Sequence, residues 1–371
     1  MATVTCYRVE RDVHASPLGG MLRKGTGLEV GADFVRVGGR EIGGEQAALF
    51  VGRLLAKTDF LKEVERLDDT TLEAVSGTSA VWPVLGCLRA AERFVGAGTG
   101  AWLPSDDKQR EFMDIFSGHI PTVDVLEERV GCLESRADSD IAPLNRWLRE
   151  RGFTIELTVD PGSEGFAVAS ILDVLCEWLE RGTRRTIEKA GASYDAVRLD
   201  EGVSLVQHPD LHDHPVVRIA AKGGYRVCMT VASGMPPGDF GLHSKVRSLR
   251  FADAPDYRYE GVVFPMVSYD RHEDISFLCG LVVRSGGKGW HVAEAVQQTR
   301  FRMNETGARA ESAAAMSFRC SAAGAARPPY VLDRPFILWI EREDFPIPLF
   351  TAVFAEDSWK DPGNLDDVKV G

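Results

Sequence analysis

The stretch Gln298-Thr-Arg-Phe-Arg-Met-Asn-Glu-Thr-Gly307, running straight into Ala308-Arg-Ala-Glu-Ser-Ala-Ala-Ala315, decides how this chain is read. Its first part alternates with a period of two, as a strand does, and residues 304–307 supply the turn that ends it. Small residues then dominate 308–326, the longest Ala/Gly-rich tract of the chain. Beyond it stand Arg334-Pro-Phe-Ile-Leu-Trp-Ile340 and Pro348-Leu-Phe-Thr-Ala-Val-Phe354, two apolar strands joined by a polar turn at 341–344. A strand, a long small-residue loop and two closing strands therefore make up the C-terminal part.

Upstream, the front third reads as helical. Residues 45–67 carry Leu49, Phe50, Leu54, Leu55, Phe60, Leu61 and Val64 at helical spacing, and 84–94 form a second helix. Gly96, Gly98 and Gly100 break the chain, but a phosphate cradle needs a strand before it, and these glycines follow a helix. The pattern then gives extended chain at 99–103, helix at 107–116, extended chain at 122–126, and helix at 141–149 with Leu144, Trp147 and Leu148 on one face. Residues 166–175, apolar except for Ser170 and Asp173, suit a strand buried on both faces. After residue 192 strands prevail, at 203–207, 216–220, 225–231, 257–267 and 299–303. Helices first and strands later, without a βαβ rhythm, indicate an α+β class.

With 371 residues, 44% of them hydrophobic, the chain can bury a large core, and no change of composition divides it. A net charge of -12 argues against nucleic acid or an anionic membrane as partner. Residues 1–17 include Arg8, Glu10, Arg11, Asp12 and His14, which is not the apolar core of a signal peptide, and no later stretch is apolar enough to span a bilayer. The expectation is a cytoplasmic protein whose 7 scattered cysteines are reduced thiols.

The C-terminal order resembles the serpin family, in which a strand ends in Asn-Glu-x-Gly, continues into an Ala-rich hinge, and is followed by a Pro-Phe strand and a Leu-Phe strand. Here these are Asn304-Glu305-Thr306-Gly307, the tract after it, Pro335-Phe336 and Leu349-Phe350. Asn145 and Trp147 resemble the family's Ile-Asn-x-Trp helix, residues 166–178 its strand ending in Trp178, and residues 99–125 the strand, helix and strand before them. The first ninety or so residues (1–95) do not align. The resemblance implies one serpin-like domain over 1–371: several helices around three mostly antiparallel sheets, with hinge and exposed reactive-centre loop at 305–327.

It also implies a mechanism, in which a protease cuts the exposed loop and the hinge inserts as a new central strand. Insertion needs small residues at alternate positions, and the inward set counted from Gly307 is Ala308, Ala310, Ser312 and Ala314, with Arg309 and Glu311 on the other parity. The family count places the cleaved bond at Ser321-Ala322, within 319–324; a small residue there suits an elastase- or subtilisin-like protease, and Arg319 a trypsin-like one. Several positions that support opening of the sheet depart from the family: Ser170 stands for its Asn, Gln297 for its His, Leu175 and Cys176 for a Lys-Gly pair, and Ala352 for a Gly. Glu305 and Trp178 are retained.

Other constellations admit two readings each. His208, His212 and His214, with Asp210 and Asp213, could ligate a metal or form an exposed turn. Cys320 is a reactive thiol or a tolerated one. Asn304-Glu305-Thr306 is formally a glycosylation acceptor. There is no Gly-x-Ser-x-Gly elbow, and His272-Glu273 lacks the second His of a metalloprotease helix, so no catalytic motif and no cofactor are expected. Two functions remain on one fold. The first is a serpin-type inhibitor whose partner is a serine or cysteine protease. The second is a non-inhibitory protein that binds a protein partner or acts on a small molecule in a biosynthetic pathway, in a heteromer.

Overall fold

The computed structural model describes residues 28–30, 34–37, 40–43, 76–98, 101–162, 165–174, 176–211, 214–232, 240–250, 254–308 and 327–365. The chain divides into two compact units, Met1–Glu73 and Ala74–Gly371. In the first, β1 (Leu28–Val30), β2 (Phe34–Val37) and β3 (Arg40–Gly43) form an antiparallel meander. This corrects the helical reading of the front third: β-branched Val30, Val35, Val37 and Ile42 favour strands, and Gly38-Gly39 is a hairpin-type sequence between partners Val37 and Arg40. The helix expected at 45–67 lies outside the described residues.

In the second unit β4 (Gly77–Thr78) leads into α1 (Val81–Val95), in which Val81, Val84, Leu85, Leu88 and Ala91 are buried along one face. Pro83 falls in the first turn, where a missing N–H costs little. Gly96, at φ 65°, ends the helix as a left-handed cap. After β5 (Trp102–Leu103), helix α2 (Asp107–Phe116) begins at Asp106, whose side chain accepts from Gln109 N. Residues 122–126, expected extended, are instead helical: α3 (Thr122–Val125) runs into one wide turn, Leu126–Val130. Val123 and Leu126, three apart, are buried together, and Asp124 is held by Arg89 and Arg93 of α1, so packing overrides the β-branched propensity.

The middle of the chain builds two strand pairs that matter for the site. β6 (Leu133–Asp138) pairs with β7 (Ala167–Leu172) from Leu133↔Leu172 to Asp138↔Ala167. Helix α4 (Ile141–Glu150) covers one face of this pair, packing Leu144, Trp147 and Leu148 on Ala169 and Ile171. Helix α1 covers the other so closely that a methyl group at Gly86 would stand 2.3 Å from Ser170 Oγ and 2.5 Å from Ser135 Oγ. Gly86→Ala is therefore expected to destabilise the protein by about 1–3 kcal/mol. This should appear as a lower urea midpoint at unchanged slope; an unchanged midpoint would mean that the helix can shift away.

Beyond β8 (Cys176–Glu177), strands β9 (Thr183–Lys189) and β10 (Ala192–Leu199) form a hairpin. The central sheet takes in β11 (Val203–Gln207), β12 (Val216–Ala220) and β13 (Tyr225–Val231). Helix α5 (Phe240–Leu249), not anticipated from the sequence, lays Leu242, Val246 and Leu249 on that sheet. The strand expected at 257–267 is divided after the short β14 (Ala254–Pro255): β15 (Val262–Pro265) pairs with β10, and β16 (Val267–Glu273) with a different sheet. Met266 N still donates to Asp195 O of β10, and from Val267 onward the chain pairs with β19 instead.

The remaining strands are β17 (Val282–Ser285), β18 (Lys288–His291), β19 (Gln297–Met303), β20 (Gly307–Ala308), β21 (Tyr330–Val331), β22 (Phe336–Arg342) and β23 (Phe350–Phe354). The central sheet has the order β14-β11-β12-β13-β22-β23-β4, and a second has the order β21-β15-β10-β9. The run Phe-Ile-Leu-Trp-Ile of β22 is continuously apolar because both faces are covered. Phe336, Leu338 and Ile340 face the main core, while Ile337 and Trp339 face α5. No helix among the described residues is long and apolar enough to cross a membrane.

His243 of α5 is buried edge-on against Phe116, and burial lowers its pKa from the usual 6.5 to about 4. The unfolded chain takes up this proton as pH falls through 6.5, and the folded protein only near 4. Its contribution to stability is therefore whole above 6.5 and is lost on descending to about 4, by about 3 kcal/mol. Unfolding midpoints at pH 7 and 4.5 should differ by less in His243→Gln than in the parent; an equal difference would place the acid sensitivity elsewhere.

Candidate functional site: a slot between two strands and the hinge above it

Strand β19 pairs along its whole length with β16, from Val267↔Met303 to Glu273↔Gln297. On its other side, among the described residues, only Met303 has a strand partner, Ala308 of β20. Strand β7 has β6 on one side and, among the described residues, no strand on the other. Between the open edges of β7 and β19 lies a cavity of about 1280 Å³. Its inner wall includes Val84, Cys87, Leu88, Ile340 and Phe350, and its outer wall Phe153, Ile155 and Leu157. The period of two places Val168 and Leu172 of β7 and Phe301 of β19 inward, and Ala169, Ile171 and Arg300 outward.

The outer wall is a strap, residues 153–159, tied at three points. Asn145 of α4 donates to Leu157 O and accepts from Leu157 N. Gln298 Oε1 accepts from Thr154 N, Thr154 Oγ1 and Ile155 N. The Glu294 carboxylate accepts from Thr158 N, Thr158 Oγ1 and Val159 N. Sequence reasoning did not single out Gln298 or Glu294, since a polar residue gives no sign that its partner lies some 140 residues away.

At the top of the slot, β20 lies between β19 and β8, with Gly307↔Glu177 and Ala308↔Cys176. Only glycine fits at 307, because a methyl group would stand 2.3 Å from Cys176 O and 2.9 Å from Glu177 Cα. Ala308 is 2% exposed and belongs to the main core. Trp178, also buried, donates from Nε1 to Asn304 O and from its backbone N to Thr306 O. Asn304, read as a formal glycosylation acceptor, is 3% exposed and folds back, its Oδ1 accepting from Thr306 N. Glu305 is buried, which by itself would raise its pKa, but Arg181 at 2.7 Å and Arg184 at 3.2 Å hold the carboxyl below the usual range.

Ser170 and Gln297 face the slot without bonding each other: Ser170 pairs with Ser135 at 2.9 Å, and Gln297 donates to Ala80 O. Ala310, Ser312, Ala314, Cys320, Ser321 and Ala322 lie outside the described residues, as does His212. His214 Nδ1 bonds Tyr330 Oη at 2.9 Å, and no group of three metal-type side chains occurs among the described residues. Burial pushes the Cys87 thiol up to about 12 and Cys132 to about 11, so neither is a thiolate at neutral pH.

No family model and no curated protein matches this chain. Among solved structures it is similar to Serpin48, a highly specific serpin of the insect Tenebrio molitor, at 15% identity and TM-score 0.48, over 77% of this chain and 93% of that one. It is similar to SRPN18 from Anopheles gambiae at 11% and 0.47, over 81% and 97%, and to thyroxine-binding globulin in complex with thyroxine at 11% and 0.45, over 80% and 96%. The chain's own order is strand β19, the turn through Glu305, the short strand β20 at Gly307 and Ala308, and then the paired strands β22 and β23. The described residues thus form an α+β structure of five helices and several mostly antiparallel sheets.

Proposed function

We propose that this chain is a serpin-type protease inhibitor, whose loop after Ala308 enters the slot between β7 and β19 once a protease has cut it. The observation that carries this reading is the placement of β20, which already occupies the head of the slot in register with both neighbours. Continuing that register downwards would set Ala310 between Val174 and Phe301, Ser312 between Leu172 and Thr299, and Ala314 between Ser170 and Gln297. All three are small, as an inward set must be where a wall of α1 and β23 lies behind it. On the outer face Glu311 would fall beside Arg300. The loop's partner is then a serine or cysteine protease, cutting at Ser321-Ala322 or within 319–324. The test is a single nick within residues 316–327, read by thermal unfolding.

A second reading rests on the size of the same cavity, which exceeds the usual range for a small-molecule site and has an apolar inner wall. In that reading the slot stays open and holds an apolar ligand. Nicking then leaves the unfolding temperature unchanged.

A further inference from the structure

Beyond β23 the chain continues as a tail that crosses β10 and returns to the hinge. Trp359, 3% exposed, packs edge-on against Tyr194 of β10, at 5.3 Å between centroids, and lies against Phe336. Lys189 of β9 pairs with Glu356 and lies over the Trp359 ring. Asp361 then turns the tail by accepting from Gly363 N at 2.9 Å, and Leu365 is buried at 5% exposure.

Two side chains hold tail and hinge turn together. Asn304 donates from Nδ2 to the tail's Gly363 O at 2.9 Å, while its Oδ1 accepts from Thr306 N and Thr306 Oγ1 within the hinge. Arg184 of β9 sits between two carboxylates, Asp361 of the tail at 2.9 Å and Glu305 of the hinge at 3.2 Å. Gly182 N, on the same side, donates to Glu305 O at 2.7 Å. The residues so clamped, 304–306, are the connection between β19 and β20. A short connection held in shape fixes the register of the strands it joins, and closing it in advance removes the slow step of pairing.

We infer that the C-terminal tail is a clasp on this turn, with Asn304 and Arg184 as positioning residues, and that it nucleates entry of the loop by keeping β20 seated at the head of the slot. The rate part of this inference rests on the insertion reading; the seating of the hinge does not. The tail thereby governs how fast the loop enters, while the inward residues govern whether it fits.

Hydrogen exchange over residues 304–308 in the uncut chain tests the seating, and the rate at which the nicked chain gains thermal stability tests the nucleation. The variants are a truncation after Lys360, which keeps Trp359, and full-length Asp361→Ala. Truncation is expected to speed hinge exchange by about tenfold, leaving the β13–β22 ladder unchanged, and to slow the thermal gain similarly. Asp361→Ala should shift both by about two- to fivefold. A tail that merely adds stability would lower the unfolding temperatures of nicked and uncut chains together without altering the rate, and unchanged hinge exchange would overturn the clasp. Absence of any thermal gain in the parent would defeat the insertion reading, and the exchange result would then decide the clasp alone.

Discussion

Nicking the chain once within residues 316–327 is expected to raise its unfolding temperature by about 10–20 °C or more. Among the described residues, the facing edges of β7 and β19 have no strand between them apart from the two residues of β20 at the head. A nick within residues 316–327 would free the segment after Ala308 from its connection to β21 and let it run down the slot. Each residue that enters places one N–H and one C=O in ladders on either side, and each such bond contributes about 0.5–1.5 kcal/mol net. Against this stands the ordering of the inserted segment, about 1–2 kcal/mol per residue. Burial of the apolar inner wall around Leu172, Phe301 and Phe350 tips the balance toward insertion. For a chain of 371 residues a shift of that size corresponds to a net gain of about 10 kcal/mol. Differential scanning calorimetry of nicked and intact samples measures it, and equal temperatures would mean a slot that does not accept its own loop.

The second large effect is expected from Ala308→Arg. Ala308 is 2% exposed, between Met303 on one side and Cys176 on the other, in the core that includes Phe264 and Phe354. A guanidinium there would enter an apolar cluster, and burying it costs several kcal/mol. The hinge can avoid that cost by leaving the slot, so the uncut protein should still fold while nicking no longer raises its unfolding temperature. Inhibition of a target protease should fall by at least about a hundredfold, with the loop instead cut as an ordinary substrate. Glu311→Ala, on the outward parity, is the control and should retain the thermal gain. If Ala308→Arg kept the full gain, the inserted strand would have to run in another register or another place.

Much of the architecture is legible in the residues themselves, for identifiable reasons. The alternation in 298–303, the turn at Asn304 to Gly307 and the apolar runs 336–340 and 350–354 are local patterns with strong periodicity, and each became the element it reads as. Residues 122–126 and 240–249 misled or stayed silent because their structure is set by what they pack on: Asp124 by two arginines of α1, and Leu242, Val246 and Leu249 by a sheet built from distant strands. Helix α1 begins three residues before its apolar periodicity shows it, because the first turn, Val81-Trp82-Pro83, is held by a long-range contact, Trp82 Nε1 donating to Pro348 O.

The site divides in the same way. The parity of Ala308, Ala310, Ser312 and Ala314 follows from a strand's period of two and from the size of side chains, so the sequence by itself determined that a strand beginning here could enter a packed sheet, whereas the need for glycine at 307 came only from the approach of Cys176 and Glu177. Whether a slot exists to receive it was decided only in three dimensions. The open edges of β7 and β19, the strap held by Glu294 and Gln298, and the tail that returns to Asn304 and Arg184 all join residues far apart in the chain. Their partners are single polar side chains whose hydrogen bonds carry no periodicity, and only the closed fold brings donor and acceptor within reach.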